Sequence, residues 1–399
     1  MNKTFYLFFT LVISILVGCS SGGDDESGGG INDPTINLEV AANFNVDEKS
    51  SYELQKSTLR IDRHSSMSGL PCNACFYRAV VYTDLDNDGD IDVFMSVGDT
   101  SSNRTPVEIY LNDGSGNFAR DYSLISGTEP GAINPRKAIL GDYNNDGQLD
   151  IFVAGHGYDQ PPFPGEHPLL FLSTASGFEY SSSLESYSGF FHSAASADID
   201  NDGDIDIFVG DPELPFFLIN DGSGNFSRNT DRITSEVNGK SLYTAELIDI
   251  DKDGYIDLVV AGHEYEGMET VIYWGSSRGT YLSTSKTVLP SVTGQGVIVD
   301  IDAEDINNDG YRDVFLTRTG GGNNNFYNGY YLQLVLGNGN RQFTDATSNI
   351  LANSRADSFW IDWIRVQDFN ADGHLDIVED NASPGLIWYN NGSGIFELR

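Results

Sequence analysis

The sequence predicts an all-β fold: a β-propeller of six or seven four-stranded antiparallel blades, six of them carrying an Asp-rich calcium loop. Three observations carry this expectation. The chain has 59 Asp and Glu against 22 Lys and Arg, and 43 Gly against 13 Pro, a balance suited to cation sites and to short strands joined by tight turns. One nine-residue acidic loop recurs six times at intervals of 51 to 63 residues. Each copy is followed by a short apolar run and then, 28 to 38 residues after its first Asp, by an aromatic residue on a turn.

Composition also bounds the partners. A formal charge of -37 repels a phosphate backbone, which excludes nucleic acid and leaves membrane contact to an anchor alone. With 39% hydrophobic residues over 399 positions the chain can bury a sizeable core.

The N-terminus reads as an export segment, residues 1–18. Lys3 is followed by an apolar stretch from Phe5 to Val17, too short for a spanning helix, and small residues close it. Leu16-Val17-Gly18-Cys19 resembles the lipobox of bacterial lipoproteins, which implies cleavage before Cys19 and lipidation of that cysteine. Residues 19–34 form a Gly/Ser tether with an acidic knot at Asp24, Asp25 and Glu26. The knot resembles tags that route lipoproteins to the outer face of the outer membrane, so the expected location is an outer-membrane lipoprotein displayed at the cell surface. Cys72 and Cys75 remain as an expected small-loop disulfide, since no βαβ context marks them as a redox motif and no histidine follows for haem attachment. Residues 35–75 could add a degenerate blade, a partial blade or an edge cover.

The six loops supply the metal chemistry. They place Asp84, Asp86, Asp88 and Asp92; Asp142, Asn144, Asp146 and Asp150; Asp198, Asp200, Asp202 and Asp206; Asp249, Asp251, Asp253 and Asp257; Asp305, Asn307, Asp309 and Asp313; and Asp368, Asn370, Asp372 and Asp376 at loop positions 1, 3, 5 and 9. Alternating oxygens face the inside of a curled loop, Gly at position 6 allows the turn, and Asp at position 9 closes it, which suits up to six Ca²⁺. Position 12 is apolar in five copies (Met95, Val153, Val209, Val260 and Leu316, against Glu379), so the loop is not an EF-hand and the chain has already entered a strand. Asn at position 3 lowers the ligand charge of the second, fifth and sixth loops, which are expected to bind more weakly.

The runs Ile91 to Met95, Ile151 to Ala154, Ile207 to Val209 and Leu258 to Ala261 read as buried strands. Turns Asn112 to Phe118, Asn220 to Phe226 and Asn390 to Phe396 are hairpin signals; Phe178, Tyr281 and Phe343 take the corresponding place in the other repeats. Four strands per repeat at about 50 residues is the period of a propeller blade. These loops and turns resemble FG-GAP or VCBS repeats, the integrin-α-like propeller family, over residues 76–399. The resemblance implies calcium loops on one face and leaves the activity open, because the family includes adhesion receptors, lectins and polysaccharide lyases.

The opposite face is where this chain is individual. Gly155-His156-Gly157-Tyr158-Asp159 and Gly262-His263-Glu264-Tyr265-Glu266 occupy matching places in two repeats, offering a sugar-binding rim or a shared packing motif. Six residues before the first Asp stand Arg78, Arg136, His192 and Tyr243, expected at the channel mouth roughly 20 Å from the metal loops. There they would bind an anionic group or pair with neighbouring acids. Val299 and Asp362 break the pattern, with Trp363 and Arg365 close by. The chain shows no nucleophile elbow, zinc helix or phosphate loop, so no catalytic residue is assigned. The expected function is a calcium-stabilised, lipid-anchored cell-surface propeller binding extracellular glycan or protein. The alternatives are a sugar-active enzyme such as a polysaccharide lyase, built from Arg136, His156, Tyr158 and His192, or a structural accessory subunit of an envelope complex.

Overall fold

The apolar runs after the acidic loops pair with the strands on either side of them to make six antiparallel sheets. A computed structural model describes residues 50–56, 77–98, 102–126, 130–319, 328–357, 359–380 and 385–399. Cys19, Cys72, Cys75 and residues 1–34 lie outside the described residues.

Among the described residues the six blade sheets run in chain order, each built on four strands in simple sequence; Ser354–Arg355 adds a fifth strand to the fifth sheet, and Thr105–Pro106 pairs with Gly131–Ala132 in a separate two-stranded sheet. The first holds Tyr77–Thr83, Asp92–Val97, Glu108–Asn112 and Phe118–Asp121; the third holds Ser193–Ala197, Asp206–Gly210, Phe216–Asn220 and Phe226–Asn229. The leading strands of the others are Pro135–Gly141, Leu242–Ile248, Ile298–Glu304 and Ile364–Gln367. Each leading strand contacts the leading strand of the next sheet, so these strands line the axis and the sheets radiate as propeller blades. The second blade gains Ile125–Ser126, contributed by the chain leaving the first, as a parallel outer strand.

Burial explains the apolar runs. The second strand of each blade is covered by neighbours on both faces; Asp150–Gly155 and Asp257–Gly262 are buried throughout. Outer strands such as Phe118–Asp121 bury only their aromatic end. Apolar clusters join successive blades, with Val81 and Phe94 of the first packing with Leu140, Val153 and Phe171 of the second. In five blades the expected aromatic opens or nearly opens the outer strand. The fourth differs: Tyr281 precedes its outer strand, Lys286–Val288, and instead bridges Ile233, stacks on Phe217 at 5.4 Å and donates its hydroxyl to the Ile256 carbonyl. A longer turn there frees the ring to fill the seam between the third and fourth blades.

Within the segment 35–75, the described part is helical. Ser50 caps the short helix Ser51–Gln55, whose residues contact the inner strands of the second, third and fourth blades. Ser51 Oγ accepts from Ser196 N at 2.9 Å, and Ser50 pairs with Ala197 at the acidic-loop end of the third inner strand. Tyr52 donates its hydroxyl to Asp302, while Glu53 pairs with Arg312 and Lys56 with Glu304 on the fifth blade. The helix thus sits across the axial channel at its acidic-loop end. Among the described residues no helix is long and apolar enough to cross a membrane.

Candidate functional site

Two opposite faces carry the chemistry, and the backbone builds each differently. On the first, the six loops connect the inner strand of each blade to the second. Position 4 takes a left-handed conformation in every copy (Asn87, Asn145, Asn201, Lys252, Asn308 and Ala371), and the Gly at position 6 follows with φ between 83° and 96°. The N–H of position 5 bonds one oxygen of the position-1 Asp and the glycine N–H bonds the other, at 3.1 Å and 2.9 Å in the first loop. The loops are thereby curled by their own backbone amides.

Position 9 has a role that spacing alone does not show. Asp92, Asp150, Asp206, Asp257, Asp313 and Asp376 are all buried, and each receives a backbone N–H from the end of the third strand; for Asp92 the donor is Asn112 at 2.9 Å. Five of the six also receive the N–H of position 2, as Asp92 does from Leu85 at 2.8 Å. These carboxylates pin loop to sheet. Burial pushes them up, to about 8 for Asp257 and about 7 for Asp92, Asp150, Asp206 and Asp313, although the amide donors oppose the shift.

The loops with Asp at position 3 bring three carboxylates together: Asp84, Asp86 and Asp92; Asp198, Asp200 and Asp202; and Asp249, Asp251 and Asp257, with ligand oxygens within 4.8 Å of one another. In the third and fourth loops Asp200 Oδ1, Asp206 Oδ2 and Asp251 Oδ1 are buried with no hydrogen-bond donor, while their surroundings are negative. Oxygens orphaned in this way fit a hard cation. In the loops with Asn at position 3 the amide instead donates to the position-5 carboxylate, as from Asn307 to Asp309 at 3.0 Å. Arginines from elsewhere in the chain also enter two loops: Arg232, on the segment between the third and fourth blades, reaches Asp200 at 2.7 Å, and Arg341, on the outer hairpin turn of the fifth blade, reaches Asp251 at 2.7 Å and Asp253 at 2.9 Å.

On the opposite face, the residues six before each first Asp fall at an irregularity of the ladder. The pairing skips Arg78, Arg136, Tyr243 and Val299, each an extra residue between two paired neighbours. A bulge re-aims its side chain, which explains why one sequence offset recurs at the channel mouth. Arg136, His192 and Tyr243 line one cavity of about 60 Å³ with His263, Asp362 and Trp363. A neighbouring cavity of about 70 Å³, floored by Tyr52 and Lys56 of the helix, shares Arg136, Lys137, Asp300 and Trp363 with it. The Arg78 side chain lies outside the described residues.

The two matching turns are only partly on this cavity. His156 and His263 are buried, and His156 Nδ1 lies 3.0 Å from the Gly157 carbonyl oxygen, which the matching-turn packing motif explains. His263 Nδ1 lies 3.2 Å from Glu266 and 3.0 Å from the Tyr265 hydroxyl, and burial holds its pKa below the usual value. Among the described residues Tyr158 joins no ring contact. Yet the other rings form a continuous arc across three blades. Phe163 meets Phe190 at 5.9 Å, Phe190 stacks on His156 at 4.3 Å and His156 on His192 at 4.9 Å. His192 meets Tyr243 at 4.4 Å, Tyr243 meets His263 at 4.2 Å, and His263 stacks on Tyr265 at 4.9 Å. Both ends, Phe163 and Tyr265, are exposed. Phe163, Phe190, Lys137 and the acid Glu166 were not singled out from sequence. Glu166 is buried and accepts from Ile133, Asn134 and Gly157 N–H groups at 2.8, 3.1 and 3.0 Å, fixing the long second-blade loop.

The neighbouring cations are mostly consumed. Lys137 pairs with Glu246, Arg365 with Asp380 at 3.6 Å, and Arg318, fully buried, with Glu264 at 3.0 Å. Arg136 makes no ion pair or side-chain hydrogen bond among the described residues and is half-buried.

The FG-GAP-like repeat model matches residues 84–153, 198–260, 249–316 and 305–379, together more than half of the chain. No curated protein matches it. Among solved structures, an Agrocybe aegerita lectin, described for specific recognition of non-reducing terminal N-acetylglucosamine, is similar at 17% identity and a TM-score of 0.53, over 82% of this chain and 80% of the lectin. The Photorhabdus luminescens Tc holotoxin pore is similar at 14% identity and a TM-score of 0.40, over 85% of this chain and 15% of that one. The V. cholerae biofilm matrix protein Bap1 is similar at 16% identity and a TM-score of 0.35, over 63% and 37%. The lectin's similarity supports the propeller architecture.

Proposed function

Since the chain belongs to the FG-GAP-like repeat family, we propose that it is a calcium-stabilised propeller, held at the cell surface by a lipid on Cys19, that binds an extracellular glycan through the face opposite its metal loops. The observation that carries this reading is the arc of seven rings from Phe163 to Tyr265 beside a cavity lined by Arg136, His192 and Tyr243. Rings offer flat apolar faces to the C–H faces of a sugar, while imidazole, phenol and guanidinium groups supply directional hydrogen bonds. The lectin among the structural neighbours makes glycan the first ligand class to try, and an extracellular protein the second.

Calcium fits the loops by the orphaned oxygens of Asp200, Asp206 and Asp251 and by the three-carboxylate groups. A bound cation would neutralise six self-repulsive clusters and tie each loop to its blade. A glycan array probed with the full chain in detergent tests the binding reading. Selective capture of saccharides that is lost in Tyr243→Ala supports it, and an array blank across all saccharide classes refutes it. The same saccharides incubated with the protein should develop no ultraviolet absorbance from an unsaturated product; growth of that signal would make the protein a lyase instead.

A further inference from the structure

We infer that the ligand reaching this cavity is a sugar bearing a carboxylate, and that Arg136 is the group that receives it. The inference rests on the glycan-binding reading and narrows it to acidic saccharides entering from one end.

Charge partnering singles out the residue. In so acidic a chain the axial channel holds several cations, and almost every one is neutralised from within: Lys137 by Glu246, Arg365 by Asp380, Arg312 by Glu53 and Lys56 by Glu304. The channel acids are engaged too. Asp300 accepts the Ile364 N–H at 3.0 Å, and Asp302 accepts from Tyr52 and from the Val366 N–H at 3.1 Å. Among the described residues Arg136 alone of these cations has no internal partner, although it is half-buried and lines both cavities. A half-buried guanidinium with no acceptor is open to an anion, and its planar fork matches a carboxylate through two parallel N–H···O bonds.

Backbone and walls specify the rest. Arg136 stands at a bulge, which turns it out of the ladder, so its amide register is not needed to pair the sheet. His192, Tyr243 and Trp363 line the same cavity, giving aromatic surface to a pyranose beside the charged group. An acidic peptide would satisfy Arg136 but would leave this ring wall unexplained, so a sugar acid is favoured. Ser51–Gln55 closes the metal-loop end of the channel, so no chain threads through it. The acid must then sit on a chain end or a branch.

The test uses the full chain in detergent and reads the fluorescence of Trp363 and the other tryptophans during titration with D-glucuronate, D-galacturonate, their methyl esters and the neutral parent sugars. The expected result is at least about tenfold tighter binding of an acid than of its ester or neutral parent, equivalent to about 1.4 kcal/mol. Arg136→Gln should abolish that preference without moving the melting temperature, and Arg136→Lys should retain part of it. Equal binding of acids, esters and neutral sugars overturns the carboxylate inference while leaving the glycan reading standing. Retention of the full preference in Arg136→Gln overturns the assignment to Arg136. If neither these sugars nor any arrayed saccharide binds, the glycan reading itself fails. Should Arg136→Gln not fold, the ester comparison on the unmodified chain decides the matter alone.

Discussion

Tyr52 joins a seven-residue described segment, far away in sequence, to the axis of the propeller. Its ring is buried, and its hydroxyl donates to Asp302 while the Ala303 N–H lies 2.9 Å from the hydroxyl oxygen. Tyr52→Phe removes one donor from a buried carboxylate and should destabilise by about 1–3 kcal/mol. Tyr52→Ala also empties the space the ring fills and should cost about 3–5 kcal/mol, as aromatic truncations in cores do. With an unfolding entropy of about 2.1 cal/mol/K per residue over roughly 300 ordered residues, the alanine variant should melt about 6 °C lower and the phenylalanine variant about 2–5 °C lower. Differential scanning calorimetry on the full chain in saturating calcium measures both. A second arm combines Tyr52→Phe with Asp302→Asn, and the pair should show a coupling of about 0.5 kcal/mol or more because the two side chains touch. An alanine variant melting within about 1 °C of the parent would show that the helix is not seated in the channel, and the argument that it closes one end would go with it.

Chelator should lower the melting temperature, because each occupied site held at about 100 times its Kd contributes roughly 2.7 kcal/mol to the folded state. Asp202→Ala should destabilise more than Asp90→Ala, since Asp202 belongs to a three-carboxylate group and Asp90 does not; an unchanged melting curve after confirmed metal removal would falsify the calcium reading. Burial pushes Asp300 up to about 8 despite the opposing Arg365 and the Ile364 amide, with Asp302 and Glu246 adding in the same direction. Its folded value is raised, so its contribution to stability is complete below about pH 4 and is lost as pH climbs through about 8. Asp300→Asn should therefore flatten the fall in stability across that window by a few kcal/mol, and urea melts at pH 5 and pH 8 that change in parallel for both proteins would refute it. If the proposed lipid on Cys19 is the anchor, Cys19→Ala should release the protein from membranes without altering its melting; a variant still sedimenting with membranes after a salt wash contradicts the lipid anchor.

The sequence by itself determined the propeller, because each blade repeats the same local bargain between a polar loop, an apolar strand and a glycine turn. Loop spacing, left-handed positions and strand periodicity act over fewer than ten residues, so Asp84 to Asp92 and its five copies are legible without any knowledge of neighbours. It also placed Arg136, His192 and Tyr243 at one end of the channel, through a constant offset from the loops. The surroundings of those residues are set by tertiary packing. His156 is buried by stacking on His192 at the start of the third blade, Lys137 is claimed by Glu246 of the fourth, and the bulge at Arg136 comes from pairing across the second blade's own ladder, none of which one window of sequence shows. The helix Ser51–Gln55 was hidden for the same reason: five residues cannot hold a helix alone, and this one is held by strands up to 250 positions away. Local patterns fix what repeats, whereas a concave site assembled across blades is set by long-range packing that no single window of sequence contains.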